Sequence, residues 1–154
     1  MFVYFTDRDL GLRFPEILRD AGLTVERHRD HFRDDAADEE WLAEAGRRGW
    51  VAVTHNSRIH YTPNEKEAVI RHAVRLLVII GQAPYPELAK SFVATRQRIE
   101  SFLELHAPPL IAKVYRASPG DLAKNSSATG RIERGIPGSE DIVLSLLPRK
   151  RARP

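Results

Sequence analysis

The sequence predicts an α/β fold, a mostly parallel sheet of about five strands with helices on both faces. Three observations carry this. Short apolar runs alternate with stretches of helical periodicity along the chain. Leu76–Ile80 is apolar without interruption, as in a strand covered on both sides. Two strands, Phe2–Phe5 and Trp50–Thr54, run into Thr and then into a polar cluster, Thr6-Asp7-Arg8-Asp9 and Thr54-His55-Asn56. In an open α/β sheet, sites form outside the carboxyl ends of the strands.

Each element has a local reason. Phe2–Phe5 is the first strand. Phe14, Ile17, Leu18 and Ala21 mark a helix face, with Pro15 in its first turn and Gly22 at its end. Leu23–Arg27 is a second strand with Leu23 and Val25 on one face, and polar Arg29–Ala37 reads as a loop. Asp38 is placed to N-cap a helix whose Glu39 and Glu40 favour the macrodipole; Trp41, Leu42 and Ala45 are its apolar face, and Gly46 or Gly49 stops it. Trp50–Thr54 is the third strand, and a helix is expected from Pro63 to about Val74. After the break at Gly81–Pro86, the spacing of Leu88, Phe92, Thr95, Ile99, Phe102 and Leu103 predicts one long helix over Glu87–His106. Leu110–Tyr115 is the last strand expected.

The chain of 154 residues supports one domain with a sizeable core. It divides by composition into residues 1–116 and a basic extension, 117–154, rich in Ser, Gly and Pro and expected to be in large part disordered or loosely docked. Within that extension the apolar patch Ile142–Leu147 offers an edge strand or a surface for a second subunit. The absence of cysteine excludes disulfides and thiolate metal sites. There is no signal-peptide pattern and no apolar run of membrane-spanning length, so the expectation is a cytoplasmic protein without a membrane partner.

The net charge of +3 is unevenly spread: from Ala107 onward nine Lys or Arg face four acids. An acidic site in the main body and a basic end, Arg149–Arg153, fit this gradient; the basic end serves either to meet an anionic polymer or to solubilise.

Asp7, Asp9, Asp38, Glu39 and Asn56 all fall at strand ends or helix starts on the carboxyl side of the sheet. Carboxylates gathered in one place repel unless a cation neutralises them, and oxygen donors suit Mg2+ or Mn2+. Arg8, Arg13 and Arg58 lie near enough in sequence to hold a phosphate backbone, with His55 as a further substrate contact. The other histidines, His28 and His31 among them, lack the spacing of a zinc site and read as loop residues. Trp41 and Trp50 read as core.

Phe5-Thr6-Asp7-Arg8-Asp9-Leu10, Phe14–Gly22, Asp38-Glu39-Glu40-Trp41-Leu42 and Val51–Ile59, in this order, resemble the PIN-like domains, in the compact branch related to VapC-type toxins and to Mut7-C and DUF5615-like nucleases. The resemblance implies a three-layer α/β/α fold and a divalent-metal-dependent endoribonuclease, commonly the toxin paired with an antitoxin protein, with RNA as substrate and homodimers frequent. By motif position it makes Asp7, Asp38 and Asn56 the catalytic metal ligands, with Glu39 and Asp9 as adjacent candidates; Arg58, two residues beyond Asn56, is placed to contact a phosphate, and Arg8 lies near the same site. Relatives commonly carry Asp where this chain has Asn56, which brings no charge. Two alternatives follow: a catalytically weakened RNA- or protein-binding module, or, from Asp7-Arg8-Asp9, a haloacid dehalogenase-like phosphatase.

Overall fold

The computed structural model describes residues 1–55 and 63–136. Asn56, Arg58, the Ile142–Leu147 patch and the basic end Arg149–Arg153 lie outside the described residues.

The strands are β1 (Val3–Thr6), β2 (Thr24–Arg27), β3 (Val51–Thr54), β4 (Arg75–Ile80), β5 (Leu110–Tyr115) and β6 (Arg131–Ile136). They form one sheet in the order β2-β1-β3-β4-β5-β6, parallel except for β6, which pairs antiparallel with β5. The helices are α1 (Arg13–Asp20), α2 (His28–His31), α3 (Asp38–Arg48), α4 (Pro63–Arg71), α5 (Tyr85–Ala94), α6 (Arg96–Leu105) and α7 (Pro119–Lys124), with a 3-10 turn at Arg8–Leu10.

Because side chains alternate along a strand, the sheet feeds two cores. Tyr4, Val51, Val53, Leu77 and Ile79 pack with Phe14 and Leu18 of α1, Leu88 and Phe92 of α5 and Ile99 and Leu103 of α6. Phe5, Ala52, Leu76 and Val78 face the other way, against Trp41, Leu42 and Ala45 of α3 and Ala68 and Val69 of α4. The three-layer α/β/α arrangement follows. Phe5 stacks between Trp41 and Trp50, with ring centroids at 5.6 and 5.4 Å, so both tryptophans are core residues.

Four expectations need correction. The sheet has six strands rather than about five, because Arg131–Ile136, in the stretch expected to be disordered or loosely docked, adds β6 to the edge. Its register with β5, from Ile111↔Ile136 to Tyr115↔Arg131, ties part of the extension to the main sheet. The long helix over Glu87–His106 is two helices: at Thr95 the side-chain hydroxyl donates to Ser91 O and accepts the Gly130 N–H, and the chain turns at that residue. The loop expected over Arg29–Ala37 begins with part of the short helix α2.

The fourth correction concerns Asp38. It is the first residue of α3 and does not cap it; Ala37 holds the extended N-cap position, and Asp38 Oδ1 accepts the Trp41 indole N–H at 3.0 Å. α3 stops at Gly49, whose φ of +69° is the left-handed conformation that glycine adopts without strain. Gly46 lies inside the helix, where a Cβ would stand 2.1 Å from the His72 carbonyl oxygen; the close approach of α3 to the end of α4 requires glycine there.

Candidate functional site

The order β2-β1-β3 places a topological switch point at β1, because the chain leaves β1 to one side for β2 and crosses to the other for β3. The carboxyl ends of β1 and β3 are thereby neighbours, held by Thr6↔Val53 and by the Asp7 N–H donating to Val53 O at 2.9 Å. Asp7 caps the 3-10 turn, its Oδ1 accepting the Arg8 N–H at 2.7 Å. That turn swings Asp9 back toward β3.

Two carboxylates meet on one hydroxyl. Thr54 Oγ1 lies 3.0 Å from Asp7 Oδ2 and 3.0 Å from Asp9 Oδ2, and the His55 N–H donates to both Asp9 oxygens at 3.3 and 3.2 Å. A hydroxyl has one proton to give, so Thr54 cannot satisfy both acceptors as a donor. Asp7 is 5% exposed and Thr54 fully buried. Burial first and the Asp9 carboxylate second, with Asp38 adding to them, push the Asp7 carboxyl up to about 7 against the lowering effect of Thr54. Burial also raises Asp9, opposed by the His55 N–H and Thr54. Among the described residues no Lys or Arg forms an ion pair with Asp7, Asp9 or Asp38.

The structure therefore brings together Asp7 and Asp9 directly and Asp38 electrostatically. Asp9, an adjacent candidate by sequence, shares the hydroxyl equally with Asp7. Glu39 is drawn elsewhere: its carboxylate takes the Arg71 guanidinium of α4, and it is not among the groups that raise Asp7 or Asp9. Arg8 is exposed beside Asp7 and lines the pocket there. His55 contributes its backbone N–H; its ring donates from Nε2 to Gly81 O at 2.9 Å and packs edge-on to Tyr85, so the imidazole is engaged in the fold. Arg13 pairs with Glu16.

Sequence reasoning missed His28. It follows β2, the neighbour of β1, and lines a pocket of about 420 Å³ with Asp7, Arg8 and Arg29. The signal was available: the strand-end rule that singled out Asp7 applies equally to the end of β2.

The donor set, carboxylate oxygens of Asp7 and Asp9 with a hydroxyl between them, is of the hard kind that Mg2+ or Mn2+ takes. Among the described residues no three His, Asp or Glu side chains are gathered as a complete metal cage. Mg2+ is commonly held by one or two carboxylates and keeps several waters, so a two-carboxylate site suits it.

The profile of the "PIN like domain" family matches residues 2–81, from β1 through β4. The chain belongs to the PIN-like domain family. The matched span contains every strand and helix that positions the Asp7–Thr54–Asp9 cluster of this PIN-like protein. The chain is also 29% identical over 97 residues to the "Putative ribonuclease VapC45" of Mycobacterium tuberculosis (strain ATCC 25618 / H37Rv), an alignment covering 60% of this chain and 67% of that protein. No solved structure gives a significant match. No described helix is long and apolar enough to cross a membrane.

Proposed function

We propose that this PIN-like protein is a divalent-metal-dependent endoribonuclease, the toxin of a toxin-antitoxin pair, hydrolysing phosphodiesters of single-stranded RNA. The observation that carries the reading is the pair Asp7, buried, and Asp9, half-buried, on the Thr54 hydroxyl, with no Lys or Arg ion-paired to either among the described residues. Family membership and the similarity to a protein named a ribonuclease support it, and they favour a nuclease over the phosphatase alternative.

Asp7 and Asp9 would hold the metal, with Asp38 and Asn56 as further oxygen donors. When bound, Mg2+ or Mn2+ supplies Lewis acidity and charge neutralisation at the phosphodiester. Thr54 and the His55 N–H fix the carboxylates in place. Arg8, exposed at the rim, meets the incoming phosphate and offsets the acidic field that would otherwise repel RNA. Arg58 is proposed for the same task. Unstacked single strands present their backbone to such a cleft more readily than a duplex.

The test is cleavage of mixed single-stranded RNA by the purified chain in Mn2+, Mg2+ or EDTA. Cutting in metal, lost in EDTA and reduced about a hundredfold or more by Asp7→Ala, is the expected result. A weakened binding module is favoured instead by the amide at position 56 and by the missing third carboxylate in the described cluster. RNA binding without cutting, and with no activity gained on Asn56→Asp, would identify that form; metal-dependent activity gained on Asn56→Asp would identify a weakened nuclease instead. The antitoxin, and a homodimer through Ile142–Leu147, are proposed on the resemblance and on that apolar patch.

A further inference from the structure

His28 is the anomaly of the fold. Its side chain is 2% exposed, and neither Nδ1 nor Nε2 has a hydrogen-bond partner. Buried imidazoles are ordinarily paired on at least one nitrogen. The ring packs at a tilt against Phe5 and Phe32, with centroids at 6.2 and 5.4 Å, and these two neighbours offer it nothing polar. Yet it is among the residues that line the pocket of about 420 Å³ together with Thr6 and Asp7, a size within the range of small-ligand sites. The exposed Arg8 and Arg29 line the same pocket. Arg27, also there, is already bound to Asp30 at 2.9 and 3.1 Å.

We infer that this pocket is a nucleotide subsite next to the scissile position, in which His28 hydrogen-bonds one nucleotide of a single-stranded RNA while Arg8 and Arg29 hold its phosphate. The inference rests on the nuclease reading above. Burial, and next the charge of Arg8, lower the His28 pKa against the opposing charges of Asp34, which lines the same pocket, Asp38 and Asp9, and this favours the neutral ring at physiological pH. A neutral imidazole offers one donor and one acceptor, which together match a base edge or a ribose 2′-hydroxyl, whereas a bare phosphate would use the donor alone. The phosphate falls to the two arginines. Both ring nitrogens are closed to solvent in the free protein, so this contact requires the side chains around the ring to shift when RNA binds. His28 is thus a substrate-positioning residue, spatially adjacent to the carboxylates and chemically separate from them.

The experiment uses the full chain and a short fluorescein-labelled single-stranded RNA. Binding is read by fluorescence anisotropy in EDTA, cleavage by steady-state kinetics in Mn2+, and folding by thermal melting, for wild type, His28→Leu and His28→Gln. His28→Leu is expected to raise Kd and KM about tenfold with kcat nearly unchanged, as the loss of one or two hydrogen bonds dictates. Its melting temperature should equal or exceed that of wild type, since an apolar side chain removes an unpaired buried polar group. His28→Gln, which keeps a donor and an acceptor, should recover most of the binding. A His28→Leu protein that binds RNA like wild type, or that melts lower and is not rescued in binding by His28→Gln, overturns the subsite. Wild type that cuts RNA beside an unaffected His28→Leu sinks the subsite alone; wild type that neither binds nor cuts RNA sinks the nuclease with it.

Discussion

Asp7 is the residue on which structure and chemistry meet. Folding lifts its pKa from 3.8 to about 7, so the folded protein binds that proton more tightly than the unfolded chain does. The metal-free fold therefore loses stability as pH rises from about 4 to about 7, and keeps the full contribution only below that window. Melting in EDTA should show this slope in wild type, and Asp7→Asn should flatten it, with the gain in melting temperature largest above about pH 7 and absent below about pH 4. Mn2+ should raise the wild-type melting temperature on the alkaline side of the window and do little for Asp7→Asn. Thr54→Val removes the hydroxyl that lowers both carboxyl pKa values; the pH at which apo stability falls should move upward, and RNA cleavage should drop. Of this cluster, the acids and the strand ends were legible in the sequence. That one hydroxyl joins Asp7 to Asp9, 45 residues upstream of it, was not, because nothing local to Thr54 encodes its partner.

At the scale of elements, two joints hold the layers where the site needs them. Thr95 ends α5, starts the turn into α6 and accepts the Gly130 N–H at 3.0 Å, fastening the approach to β6. Thr95→Ala would strand a buried N–H and should cost roughly 1–3 kcal/mol in a denaturant titration. The helical spacing of Leu88, Phe92, Ile99 and Leu103 read through this residue without a break because those four side chains face one core in both helices. Gly46 is the second joint. Gly46→Ala places a methyl against the His72 carbonyl, so α3 must separate from α4, and a loss of about 2 kcal/mol or more is expected by the same titration. Since α3 carries Asp38, that separation should also weaken metal binding. Either glycine could have ended α3 on sequence grounds; only the packing of α4 shows why Gly46 lies inside the helix and Gly49 closes it.

For the whole molecule, the site is a consequence of topology. A doubly wound sheet with its switch at β1 must leave the ends of β1 and β3 side by side at a crevice, and this chain has acids at one and Thr at the other. β6 closes the opposite edge. Ending the chain after Arg116 would remove α7 and β6, uncover the β5 edge and expose the core contacts of Ile136, which is 4% exposed in the full chain. Such a protein should melt well below the full chain and aggregate, as an open strand edge invites pairing. A melt unchanged from the full chain would instead support the proposed boundary at residue 116.

The sequence by itself determined the α/β class, the alternation that builds two cores, the position of β1 through β5, and the acids that gather at the strand ends, because these follow from local periodicity and from the rule that parallel strands share one functional edge. Only the tertiary structure decided which acids converge, that Glu39 is diverted to Arg71, that α5 and α6 are separate, that Arg131–Ile136 completes the sheet, and that His28 is buried without a partner. Each of these depends on a contact between residues distant in the chain, and a hydrogen bond or close approach of that kind leaves no periodic trace in the sequence.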